Sequence, residues 1–168
     1  SLIRLRIVLK VAWYNSVLTI HDVIAGDKLY MMPNASLYHF GIMSSSMHNA
    51  FMRLTAGRMK SDYSYSNTIV YNNFPYPFTA DYHDKKVDTA RDEISKAGQA
   101  VLDAREHYRK ADPKPTLAQL YNRYLIDPYP ILTKAHIDLD KAVDKAYGYK
   151  GNGTDESRVE FLLKLLTK

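Results

Sequence analysis

The chain has 168 residues, long enough for one compact domain or for two small ones sharing a core, and its 46% hydrophobic and 24% charged content is that of an ordinary folded protein. It has no cysteine, no apolar run of about 18 residues and no signal-peptide pattern at its start. Disulfides, thiolate zinc sites, cysteine nucleophiles and a membrane-crossing helix are thereby excluded, and a cytoplasmic protein is the default expectation. The net charge of +5 is unevenly distributed. Residues 1–78 carry seven basic and three acidic residues among many aromatics, whereas 79–168 carry sixteen and fifteen. The first half suits a polyanion, and its balance also fits an ordinary basic domain.

The first residues alternate, with Ile3, Leu5, Ile7, Leu9 and Val11 on one side and Arg4, Arg6 and Lys10 on the other, which predicts a half-buried strand. Further strands are expected at 28–32 and, after the breaker pair Pro33-Asn34, at 36–42. Ser44, Ser45 and Ser46 are good caps for a helix whose apolar face is Met47, Phe51 and Leu54, ending near Gly57. The stretch from Arg58 to Tyr65 reads as extended, and 68–71 as a strand. Asn72 to Pro77 breaks regular structure, and the composition changes beyond it, which places a domain boundary at 77/78.

The second half is helical in pattern. Val87, Ile94, Val101 and Tyr108 recur every seven residues with Ala90, Ala97 and Ala104 between them, a seam that fits either a long helix packed in its own domain or a dimeric coiled coil. Pro113 and Pro115 end it, and Thr116 caps a short helix through Tyr121. A helix opening at Asp127-Pro128 carries Leu132, Ala135, Leu139, Val143 and Ala146 on one face and stops at Gly148. Thr154 caps the last helix, whose expected buried face is Val159, Leu162, Leu163 and Leu166. The fold class expected is α+β: a small mixed β/α portion over 1–77 followed by an all-α portion over 78–168.

No catalytic constellation is visible. The six histidines, at 21, 39, 48, 83, 107 and 136, have no metal-ligand spacing, and neither a phosphate-cradling glycine loop nor a GxSxG elbow occurs. Asn72-Asn73-Phe74-Pro75 lacks the prolines of the Asn-Pro-Pro-aromatic turn of amino-methyltransferases. The informative segment is 57–67, Gly-Arg-Met-Lys-Ser-Asp-Tyr-Ser-Tyr-Ser-Asn. As one extended strand it would set Lys60, Asp62 and Ser64 on one side and Met59, Ser61, Tyr63 and Tyr65 on the other. Lysine can donate to guanine acceptors and aspartate can accept from the cytosine amino group, so the row has what base reading in a major groove needs. The same row also fits a solvated strand face carrying a local Lys–Asp pair. Arg53, Arg58 and Lys28 are the candidates for phosphate contacts, which position without specifying.

Three blocks of residues carry a resemblance: Leu37 to Ser45, Gly57 to Tyr63 and Ser66 to Pro75. Gln99 to Arg105, Leu117 to Tyr121 and Leu139 to Gly148 extend it. Over roughly residues 22–166 the chain resembles the MmeI-like enzymes, single chains that combine endonuclease, adenine methyltransferase and target-recognition functions. The resemblance implies that residues up to about 77 are the end of a target-recognition domain and 78–168 a helical C-terminal domain. The nuclease and methyltransferase domains would lie upstream as partners in the same chain. It further implies base contacts at Lys60 and Asp62, and at Ser64 a position linked to base choice where an arginine can occur. Double-stranded DNA is the implied partner. No cofactor is implied for this stretch; S-adenosylmethionine, and Mg2+ for cleavage, would belong to the parent enzyme. Residues 1–20 lack the Arg-rich, Tyr-Ile-Pro segment of that family, so no DNA contact is carried over to them. A helical interaction module, with the alanine seam as a subunit interface, is the alternative.

Overall fold

The computed structural model describes residues 5–10, 16–20, 29–59, 62–78, 82–121 and 128–167, with backbone alone at 5–10, 16–20, 29–31, 33, 58–59 and 62. The first portion opens with β1 (Leu5–Lys10), β2 (Ser16–Ile20) and β3 (Leu29–Pro33), an antiparallel sheet in the order β2-β1-β3. Leu5 faces Ile20, and Arg6 faces both Thr19 and Pro33 across its two neighbours. The alternating pattern thus becomes the central strand. Ile3, Val11, Lys28 and Asp127 lie outside the described residues.

The strand expected at 36–42 is instead α1 (Leu37–Ser44), followed by α2 (Ser46–Thr55). The reason is burial of six of its eight residues. Tyr38, Phe40, Gly41, Ile42, Met43 and Ser44 are all buried, because α1 runs between α2, β2 and two long helices, α3 (Lys85–Arg109) and α5 (Pro130–Tyr147). A helix apolar all round has no 3.6-residue periodicity to betray it. Ser45 caps α2 as expected, its hydroxyl accepting from the His48 amide at 3.3 Å.

The expected strand at 68–71 is also replaced, by a π turn over Asn67–Tyr71. Ser66 accepts from the Ile69 amide, and Asn73 Nδ2 donates to the carbonyls of Thr68 and Ile69 at 3.0 and 2.9 Å. Local side-chain bonds of this kind give the backbone an alternative to a ladder. No regular element is formed between Asn72 and Phe78, as the Asn/Pro run predicts.

In the second portion, α3 is the long helix of the heptad seam and ends at Arg109, ahead of the prolines. Val87, Ile94, Val101 and Ala104 are buried, with Ala90 and Ala97 half-buried, and α3 packs on α5 and α1. The seam is satisfied within the chain. Thr116 caps the four-residue α4 (Leu117–Leu120) with Gln119 in a capping box. α5 begins at Pro130 rather than at 127–128 and ends on Gly148 at φ 67, the left-handed conformation glycine adopts without penalty. α6 (Asp155–Leu166) is capped by Thr154 and buries Leu162, but Leu163 and Leu166 are exposed, contrary to expectation.

The architecture is α+β, and the two portions share one core. Phe40, Met47, Phe51, Val70 and Phe74 from the first pack with Ile94, Val101, Leu139, Val143 and Leu162 from the second. Two polar groups reinforce the second portion from inside. Arg158, 6% exposed, pairs with Asp144 at 2.9 Å between α6 and α5. Arg105, 5% exposed, donates to the Tyr121 hydroxyl at 2.7 Å, which in turn lies 2.8 Å from Nε2 of His136.

Candidate nucleic-acid interface

Helix α2 leads through a single residue, Ala56, into two short antiparallel strands, β4 (Gly57–Met59) and β5 (Asp62–Ser64). Gly57 faces Ser64, Arg58 faces Tyr63 and Met59 faces Asp62, leaving two residues, Lys60 and Ser61, between the strands. The segment is extended, as expected, but it reverses instead of running on as one strand. Alternation therefore holds within each strand and not across the reversal.

β5 is backed by aromatic groups. Tyr63 and Tyr65 are half-buried against the core. The Tyr65 hydroxyl shares a hydrogen bond of 3.2 Å with Nε2 of His48, a residue of α2 that is 2% exposed. The His48 ring meets the edge of Phe74 at 4.6 Å, and Phe74 meets Phe51 and Tyr76 at 5.5 and 5.1 Å. Burial pushes the His48 pKa down to about 3, so its imidazole is neutral at physiological pH. With Tyr63 and Tyr65 turned to the core, the period-two geometry of a strand leaves half-buried Ser64 on the opposite face.

The expected site residues fall into three groups. Ser64, and Asp62 through its backbone, are two residues apart on β5, and Arg58 is paired on β4 with Tyr63, the residue between them. Lys60 and Lys28 lie outside the described residues. Arg53, expected on phosphate, is 17% exposed and ion-paired with Asp155 at the start of α6, so a phosphate there would compete with a carboxylate already in place.

Two features were not anticipated from the sequence. Asp140 of α5 accepts from the Ser46 amide at 2.7 Å and from the Ser46 hydroxyl at 2.6 Å, joining residues 94 positions apart. A cleft of about 640 Å³ opens beside Tyr38, Tyr71, Tyr76 and Phe78, with the Arg91 guanidinium 5.9 Å from the Tyr38 ring centre and 6.0 Å from that of Phe78. Burial pushes the Tyr38 hydroxyl pKa up to about 12 despite Arg91. Neither feature has a local signal, since each joins residues from both portions. Among the described residues no group of His, Asp and Glu is arranged to hold a metal ion, and no helix is long and apolar enough to cross a membrane.

Comparison with known proteins gives two family-model matches along the chain. Residues 12–78 match the family model described as MmeI, target recognition domain, and residues 85–168 match that described as MmeI, C-terminal domain. The chain is 39% identical over 146 residues to DNA methyltransferase A of Bacillus subtilis (strain 168), covering 86% of this chain and 15% of that protein. It is similar to the type IIL restriction-modification enzyme MmeI, whose structure is described as a complex with DNA. The TM-score is 0.80 at 34% identity, over 97% of this chain and 21% of that one. The chain thus spans about a fifth or less of the length of these relatives. Fold, matched residues and identity agree: this chain belongs to the MmeI family of restriction-modification proteins and comprises the family's target-recognition and C-terminal domain regions.

Proposed function

We propose that this chain is the non-catalytic DNA-recognition part of a bacterial type II restriction enzyme or adenine-N6 DNA methyltransferase, binding duplex DNA and reading part of a short asymmetric site. The observation that carries the reading is the β4–β5 hairpin, braced from behind by Tyr63 against the core and by Tyr65 on a neutral buried His48, with Ser64 on the other face. In this reading Lys60 and Asp62 read one G·C pair, guanine facing the lysine, and Ser64 contributes a weaker contact. Arg58 and Lys28 contact phosphates, and Arg53 joins them only where its tie to Asp155 opens. Residues 1–77 act as the end of the target-recognition domain and 78–168 as the helical domain that braces it. That two relatives are a DNA methyltransferase and an enzyme described in complex with DNA supports the reading. The methyl donor S-adenosylmethionine, and Mg2+ for cleavage, are assigned to other parts of such an enzyme, and its compartment to the cytoplasm.

Fluorescence anisotropy with a labelled duplex, repeated across salt concentrations, tests this. Phosphate-dominated binding weakens with a log–log slope of about −0.9 per contact, so the two contacts of Arg58 and Lys28 give a slope of about −2, and about −3 where Arg53 joins them. Salt-insensitive self-association without DNA binding would contradict the reading and favour an interaction module.

A further inference from the structure

The β4–β5 hairpin is tied to α2 at both ends: Ala56 alone separates the end of α2 from β4, and Tyr65, just after β5, returns to His48 on the same helix. What fixes the pose of α2 therefore bears directly on the pose of the hairpin. That helix is held at both ends by carboxylates from the second portion. At its first residue, both oxygens of Asp140 on α5 accept from Ser46, at 2.7 and 2.6 Å. In its last turn, Arg53 pairs with Asp155 of α6. Each contact is matched to its end of the helix. A carboxylate at the N-terminus takes up an amide that has no intrahelical acceptor and meets the positive end of the dipole, and a guanidinium in the last turn meets the negative end. The two points lie about 10 Å apart along the axis, so together they resist pivoting, which one contact alone would permit.

We infer that Asp140 and Asp155 are positioning residues of the recognition hairpin, through which the C-terminal helices set how β4–β5 is presented. The consequence for DNA rests on the function proposed above; the positioning itself does not. Asp140 is the cleaner probe, because Asp155 also stabilises the N-terminus of its own helix.

Hydrogen–deuterium exchange of the whole chain tests this, with residues 57–64 as the reporter and 94–104, in the buried middle of α3, as the internal reference. Asp140→Ala and Ser46→Ala are each expected to raise exchange in 57–64 by about tenfold while 94–104 is unchanged. Asp140→Asn, which keeps an oxygen acceptor for the Ser46 amide, is expected to restore most of the protection. Asp138→Ala, on the same helix but in an exposed pair with Lys134, leaves 57–64 unaltered. Unchanged exchange in 57–64, or a rise shared equally by 94–104, would overturn the inference. A duplex panel run on the same variants reports separately on function. Faster hairpin exchange with loss of base preference supports both claims, whereas faster exchange in a chain whose wild type has no base preference overturns the DNA reading and leaves the positioning role standing.

Discussion

Tyr65 and His48 join the β4–β5 hairpin to helix α2 through a 3.2 Å contact between the tyrosine hydroxyl and Nε2 of the imidazole. The other ring nitrogen, Nδ1, is buried with no hydrogen-bond partner among the described residues. Tyr65→Phe would thus leave both nitrogens of a buried ring without these partners, a loss of about 1–3 kcal/mol. Exchanging both groups, Tyr65→Phe with His48→Leu, is expected to cost less than the two single changes added together, because no orphaned polar atom remains. Urea unfolding of the four proteins measures the coupling; strict additivity would contradict it.

Acid sensitivity follows from the buried histidines. His48 and His136 are both held near pKa 3, each chiefly by burial, with Arg105 adding to the effect at His136. His39 is lowered in the same sense. Their ordinary value is 6.5, so between about 3 and 6.5 the unfolded chain binds more protons than the native one, and stability falls as pH falls through that window. Two protons taken up on unfolding near pH 5 correspond to roughly 3 kcal/mol per pH unit. Asp140, raised mainly by desolvation, acts in the opposite direction at the acidic end. Denaturant titrations at pH 7, 6 and 5 are expected to show the decline. The pair His48→Gln and His136→Gln, which cannot titrate, should flatten it; an unchanged slope would contradict the assignment.

Close approach of α1 and α3 depends on Gly41. A Cβ there would lie 2.6 Å from Ile94 Cγ2 and 3.1 Å from the Ile94 carbonyl oxygen. Gly98 makes the reciprocal approach, 3.1 Å from the Leu37 carbonyl oxygen. Gly41→Ala is expected to destabilise by about 1–3 kcal/mol through overpacking, more than the ~1 kcal/mol that alanine gains in helix propensity. Thermal unfolding decides it, since a stabilised variant would mean that the helices separate freely.

How much of this was legible in the sequence depended on whether the determining contacts were local. The heptad seam, the Thr116 and Thr154 caps and the Gly148 stop are short-range signals, and each has its expected counterpart. Residues 37–44 were misleading because a helix with six of its eight residues buried shows no distinct apolar stripe, and its apolar cluster reads as a buried strand. Thr68-Ile69-Val70-Tyr71 has strand-forming residues, yet Ser66 and Asn73 bind its backbone locally and leave Val70 as the buried member. The site divides in the same way. That tyrosines back β5 follows from strand alternation, whereas the reversal after Met59 and the reach of Asp140 to Ser46 depend on pairing that no sequence window contains.

Base preference of the charge-exchanged hairpin, Lys60→Glu with Asp62→Arg, is the most direct measurement, made on a duplex library varied one position at a time. The expected result is a preference moved at a single site position by about 1–3 kcal/mol, with overall DNA affinity retained. An unaltered preference at every position would contradict the assignment of this pair to base reading.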